Sequence, residues 1–184
     1  MWENVVGWGS MPFFSGSWTV KIDDKGRFVL PSSLRYGLVE EGKLTFFLGL
    51  GLGGCLSIYK TSEIQKMVKR FEKKQHVAAY QPFFTTFFSS LQEIHPDKVG
   101  RVLIPPLLRQ AASIQKEIVI AGVLSKIEIW PREVHEKKMQ QFLQGGQLQQ
   151  MAEEAFALLG EQAPHSQPVT KEDEEKEQIG RAHV

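Results

Sequence analysis

The chain has 184 residues, 42% of them hydrophobic, and 22 Lys and Arg against 21 Asp and Glu give a formal charge of +1. That composition suits an ordinary globular protein with one substantial core or two small ones. It excludes an internal disulfide and a cysteine-based zinc site within one chain, because Cys55 is the only cysteine, and no apolar run reaches the roughly 18 residues a membrane-spanning helix needs.

The start, Met1 to Ser10, precedes a second methionine, Met11, and shows no period that continues into the rest of the chain. Residues 1–16 are therefore read as an N-terminal extension that includes a candidate mis-called start. From Ser17 to Ile22 apolar and polar residues alternate, the period of a half-buried strand. Asp24-Lys25-Gly26 supplies turn chemistry and Arg27 to Leu30 returns as a second strand, so the pattern predicts a hairpin with a charged tip. Pro31 opens a short helix to about Val39. Leu44 to Leu48 and Cys55 to Tyr59 read as strands joined by the glycine-rich turn Gly49 to Gly54. Thr61 is expected to cap a longer helix with Ile64, Met67, Val68 and Phe71 on one face and Lys66, Lys69, Arg70, Lys73 and Lys74 elsewhere.

Gln81 to Leu91 places Phe83, Phe84, Phe87 and Phe88 at helical spacing, a packing linker. The order then repeats: a strand up to His95, a charged turn, a strand Arg101 to Ile104, a proline-started helix, strands Glu117 to Ala121 and Lys126 to Trp130, and a helix from about Arg132. The resulting division is 17–63 for a first module, 64–90 for a helical linker, 91–134 for a second module, 135–160 for a C-terminal helix and 161–184 for a tail. That tail holds Lys171, Lys176 and Arg181 against six acidic residues, leaving 19 basic and 15 acidic residues, a charge of +4, in the rest. Acidic and poor in apolar residues, it is expected to be disordered. Its last six residues, Ile179 to Val184, can be back-translated as read-through of a sequencing adapter.

The repetition is specific. Asp23, Gly26, Arg27, Pro31, Leu34 and Arg35 recur as Asp97, Gly100, Arg101, Pro105, Leu108 and Arg109, all at an offset of 74. Two copies at this spacing predict a duplicated module packed as a pseudo-symmetric pair, since solenoids need three or more units.

The paired Asp-x-x-x-Arg turns, each followed by a short apolar strand and proline, resemble the MraZ family of two AbrB-like (SpoVT-AbrB) modules. Phe14-Ser15-Gly16, Val119-Ile120-Ala121-Gly122 and Ile127-Glu128-Ile129-Trp130 are further matches, and the resemblance runs from about Met11 to Phe142. It implies an α+β, mainly β fold of duplicated swapped-hairpin, barrel-like modules with short helices. It also implies a cytoplasmic, nucleoid-associated transcriptional regulator that forms a homo-oligomeric ring. Such a regulator binds double-stranded DNA at direct repeats upstream of the division and cell-wall gene cluster. The chain departs from the family in its start, its acidic tail and Pro96, which stands where the first module has Ile22 and has no N–H to pair.

The first tip offers Lys21, Lys25 and Arg27, with Arg35 on the following helix, as candidate DNA contacts: lysine brings a point charge to phosphate, and the arginine fork grips phosphate or guanine. The second tip has Lys98 and Arg101 but Val99 in place of Lys25, so Asp23, Asp97, Lys98, Arg101 and Arg109 form a secondary group for DNA binding or assembly. The competing reading makes Asp23 with Arg27, and Asp97 with Arg101, ion pairs that fix each turn or lock subunits. The basic helix reads as a solvated face. His76, His95 and His135 share no metal-ligand spacing, and Gly49 to Gly54 lacks the Lys-Ser/Thr of a phosphate loop. No nucleophile, base and orienting group stand together, so the expectation is no enzyme, no cofactor, no metal and no small-molecule substrate. Two alternatives remain: an AbrB-like antidote whose tail wraps a toxin, against which Lys171 to Gln178 has no regular apolar anchors, and a scaffold without DNA affinity.

Overall fold

The computed structural model describes residues 13–160, so the readings of the first twelve residues and of the acidic tail lie outside the described residues. Two compact units divide the chain at Glu136. Among the described residues, ten strands stand against six α-helices and one 3-10 turn, and a six-stranded sheet carries the core.

The first copy supplies β1 (Ser17–Lys21), β2 (Arg27–Val29), α1 (Ser32–Leu38), the two-residue strands β3 (Val39–Glu40) and β4 (Lys43–Leu44), then β5 (Phe46–Leu50) and β6 (Leu56–Lys60). Next come α2 (Thr61–Glu72), the 3-10 turn Ala78–Tyr80 and α3 (Gln81–Ser90). The second copy gives β7 (Gln92–Ile94), β8 (Arg101–Leu103), α4 (Pro106–Ala111), β9 (Glu117–Val123), β10 (Lys126–Pro131) and α5 (Arg132–Gln144).

The strands beside each turn do not pair with one another as their local pattern predicts; they exchange between the copies, as the resemblance to swapped-hairpin modules implies. The first turn closes as predicted, with the Asp23 N–H donating to the Arg27 carbonyl at 2.8 Å and the Gly26 N–H to the Asp23 carbonyl at 2.9 Å. Its two strands then part: β1 runs antiparallel to β9, and β2 to β8. An isolated two-stranded hairpin buries too little apolar surface to be stable in water. Exchange between copies instead seals Phe28 and Val102, opposite one another on β2 and β8, in the core. Each such side chain contributes roughly 1.5–3 kcal/mol when fully buried.

The pairing obeys a pseudo-two-fold. The large sheet has the order β1-β9-β10-β6-β5-β7, which reads the same in both directions once the copies are equated. At its centre Ile127 pairs with Ile58 and Ile129 with Leu56; further out, Val20 faces Ile118 and Ile94 faces Phe46. In the small sheet the Leu30 N–H donates to the Gly100 carbonyl and the Ile104 N–H to the Gly26 carbonyl, each at 3.0 Å. Pro96 breaks the symmetry in the expected way. The Ile22 N–H extends the β1–β9 pairing by donating to the Lys116 carbonyl at 2.9 Å, whereas β7 pairs with β5 only from Gln92 to Ile94.

The helices between the copies pack through aromatic rings, Phe71 of α2 lying 5.9, 5.3 and 6.0 Å from Phe83, Phe84 and Phe88 of α3. Ser90 ties α3 to the sheet, its hydroxyl accepting from the Leu50 N–H at 3.0 Å and donating to the Phe87 carbonyl at 2.7 Å. Thr61 does not cap α2; it is the first helical residue and its side chain makes no capping bond. Glu40 takes that role from across the fold, accepting from the Ser62 N–H at 3.1 Å and from the Ser62 hydroxyl.

In the second unit the expected single helix over 135–160 is two helices. α5 ends at Gln144, and α6 (Gln147–Leu158) starts after Gly146, whose φ of 65° lies in the left-handed region open to glycine.

Candidate nucleic-acid interface

Each repeated turn is held by its own aspartate. Asp23 Oδ1 accepts from the backbone N–H groups of Lys25 at 3.0 Å and Arg27 at 2.8 Å, while Oδ2 accepts from Arg27 Nε at 2.8 Å. Asp97 repeats the pattern with the N–H groups of Val99 at 3.0 Å and Arg101 at 2.9 Å and with Arg101 Nε at 2.6 Å. The spacing of four residues is what lets one carboxylate collect both the donors of a tight turn and the side chain that follows it. The Arg27 backbone bond is the main influence holding the Asp23 carboxyl below its ordinary value, and the Arg101 backbone and side-chain bonds do the same for Asp97. Gly26 and Gly100 complete the turns at φ of 83° and 82°, a region closed to most side chains.

Of the two readings of the Asp-x-x-x-Arg pairs, this geometry makes the aspartates intrachain turn clamps. Among the described residues, Arg27 and Arg101 use only Nε in side-chain hydrogen bonds, so the terminal guanidinium edge of each is uncommitted. Lys21 and Lys25 are exposed around the first turn, and Lys98 stands exposed on the second beside an exposed Val99.

The helix arginines cross over. Arg35, read with the first tip, packs instead on the second turn: its Nη1 donates to the Val99 carbonyl at 3.3 Å, and a Cβ placed on Gly100 would lie 2.5 Å from that nitrogen. Arg109, from the second copy, lies over the first turn, its Nη1 3.4 Å from where a Gly26 Cβ would be and its Nε donating to the Ile114 carbonyl at 3.4 Å. The cause is the strand exchange, because pairing β2 with β8 sets each copy's helix against the other copy's turn. The repeat could have revealed this only if the pairing partner of β2 were known.

No group of three or more His, Cys, Asp or Glu able to hold a metal forms among the described residues, and no helix there is long and apolar enough to cross a membrane. Cys55 is buried, and desolvation pushes its thiol up, away from the reactive thiolate.

A family model described as "MraZ protein, putative antitoxin-like" matches residues 13–81 and 87–158, that is, both copies. This chain belongs to the MraZ family. Among its relatives, "Transcriptional regulator MraZ" of Lachnoclostridium phytofermentans is 39% identical over 120 residues, covering 65% of this chain and 82% of the relative. The protein of the same name from Cytophaga hutchinsonii is 30% identical over 148 residues, 80% of this chain and 97% of the relative. That from Cutibacterium acnes is 35% identical over 125 residues, 67% and 85%. MraZ is a family of transcriptional regulators and not of enzymes, and this member is a transcriptional regulator built on two exchanged copies.

Proposed function

We propose that this MraZ protein regulates transcription by binding double-stranded DNA in a sequence-specific way through the turn of its first copy. Lys21 and Lys25 supply charge to phosphates, and Arg27 offers its open guanidinium edge to a phosphate or a guanine. The observation that supports this reading is the first turn itself: a bend clamped by Asp23, with Lys25 exposed and the terminal edge of the half-buried Arg27 uncommitted among the described residues. The second turn presents Val99 where the first has Lys25, which favours a lesser or assembly role for Asp97, Lys98 and Arg101.

One such turn makes few contacts, and a charge of +4 outside the tail is mild. A homo-oligomeric ring answers this by engaging successive direct repeats, so that avidity converts weak contacts into selectivity for repeat number and spacing. The proposed targets are the promoter repeats upstream of the division and cell-wall gene cluster, read in the cytoplasm on the nucleoid, with no cofactor.

A gel shift across a salt series tests this with tandem-repeat promoter DNA, a single repeat and a shuffled duplex. Tandem repeats are expected to bind best, affinity should fall steeply with salt, and Lys25→Ala should abolish or strongly reduce the shift while light scattering reports an unchanged oligomer. Equal binding to all three duplexes, or a Lys25→Ala variant that binds as the parent does, contradicts the proposal.

A further inference from the structure

The geometry points to a composite phosphate clamp in which Arg109 and Gln110 of the second copy serve the first copy's turn. The inference rests on the reading of that turn as the DNA contact. A shallow cleft of about 520 Å³ has Ile104 and Ile114 in its lining and Lys25, Arg109, Gln110 and Gln115 among its polar residues, so one cation comes from the first turn and another from α4. Arg109 Nε donates a long bond of 3.4 Å to the Ile114 carbonyl, and its terminal nitrogens make no hydrogen bond among the described residues. A guanidinium that bonds through Nε narrows the directions its other edge can take, which lowers the entropy lost when it grips an anion.

The symmetry-related position serves as an internal comparison. At an offset of 74, Lys25, Arg109 and Gln110 correspond to Val99, Arg35 and Tyr36. There Arg35 spends Nη1 on the Val99 carbonyl, its Nε is buried without a partner, and Val99 and Tyr36 are 56% and 82% exposed. Two of the three side chains are thus apolar or aromatic where the first site has a cation and an amide. Only the first site has the chemistry of an anion clamp; Arg35 braces the second turn. When the first tip enters a groove, α4 beside it faces the groove wall, where the phosphates run, so Arg109 contributes affinity without base selectivity.

The test measures DNA affinity and its salt slope for Arg109→Ala, Gln110→Glu and Lys25→Ala on tandem-repeat and shuffled duplexes, with thermal melts alongside. Gln110 is exposed, so Gln110→Glu adds a negative charge to the cleft without disturbing the core. Arg109→Ala should weaken binding by at least about fivefold on both duplexes and reduce the salt slope by about one per clamp. Gln110→Glu should weaken binding several-fold with an unchanged melt. If Lys25→Ala weakens binding while Arg109→Ala and Gln110→Glu bind as the parent, the composite clamp is wrong and the first-turn reading survives. If Lys25→Ala also binds as the parent, the first-turn reading itself is wrong.

Discussion

Asp23 and Asp97 are turn clamps before they are anything else, and their titration carries a signed consequence. Both carboxyls are held below the ordinary value of 3.8, so their stabilising bonds are fully present above that value and are lost as pH falls through the lower folded values. An Asp23→Asn/Asp97→Asn variant should therefore melt below the parent at pH 7, with the gap closing as pH drops under 3.8. A gap that stays constant would show that the charge is irrelevant. Gly100 is the second sensitive residue. Gly100→Ala forces a side chain into φ of 82° and against Arg35, and urea denaturation should find a loss of at least about 1–2 kcal/mol. The residue pattern made this turn chemistry readable, because Asp, Gly and Arg at fixed offsets have few other local uses. It could not show that Arg35 and Arg109 trade turns, since that depends on which strands pair.

Strands and helices are legible as elements from their periodicity, whereas the exchange of strands between copies is legible only through the family resemblance. Alternation from Ser17 to Ile22 identifies a strand and its buried face, but period two carries no information about the strand beside it. Nearness in sequence argued for a β1–β2 hairpin, and burial of Phe28 against Val102 outweighed it. Glu40 capping α2 from 22 residues away is equally silent in sequence, whereas the break between α5 and α6 was signalled by Gly145-Gly146. The exchange makes β2 a central stability element despite its three residues. Phe28→Ala should cost about 3–5 kcal/mol in chemical denaturation, and one cooperative transition should report loss of both copies. Two separate transitions would contradict the interlock.

At the scale of the molecule, duplication gives one core from two copies, neither of which is complete alone. β1 depends on β9 and β2 on β8, so a fragment of residues 13–81 should show little regular structure by circular dichroism and recover it when mixed with residues 87–158. The same symmetry, broken at Lys25 and Val99, gives two equally clamped turns different surfaces, and the proposed function gives them different work. The difference is best measured by comparing the tandem-repeat DNA affinities of Arg27→Ala and Arg101→Ala, because each removes the same Nε bond to its aspartate, leaves both backbone bonds of the turn in place, and only the first removes a proposed primary DNA contact. Compared under conditions where light scattering finds both variants assembled as the parent is, Arg27→Ala should lose at least about tenfold in affinity while Arg101→Ala stays within about twofold of the parent. Equal losses in the two variants, or the greater loss in Arg101→Ala, would contradict the assignment of nucleic-acid binding to the first turn.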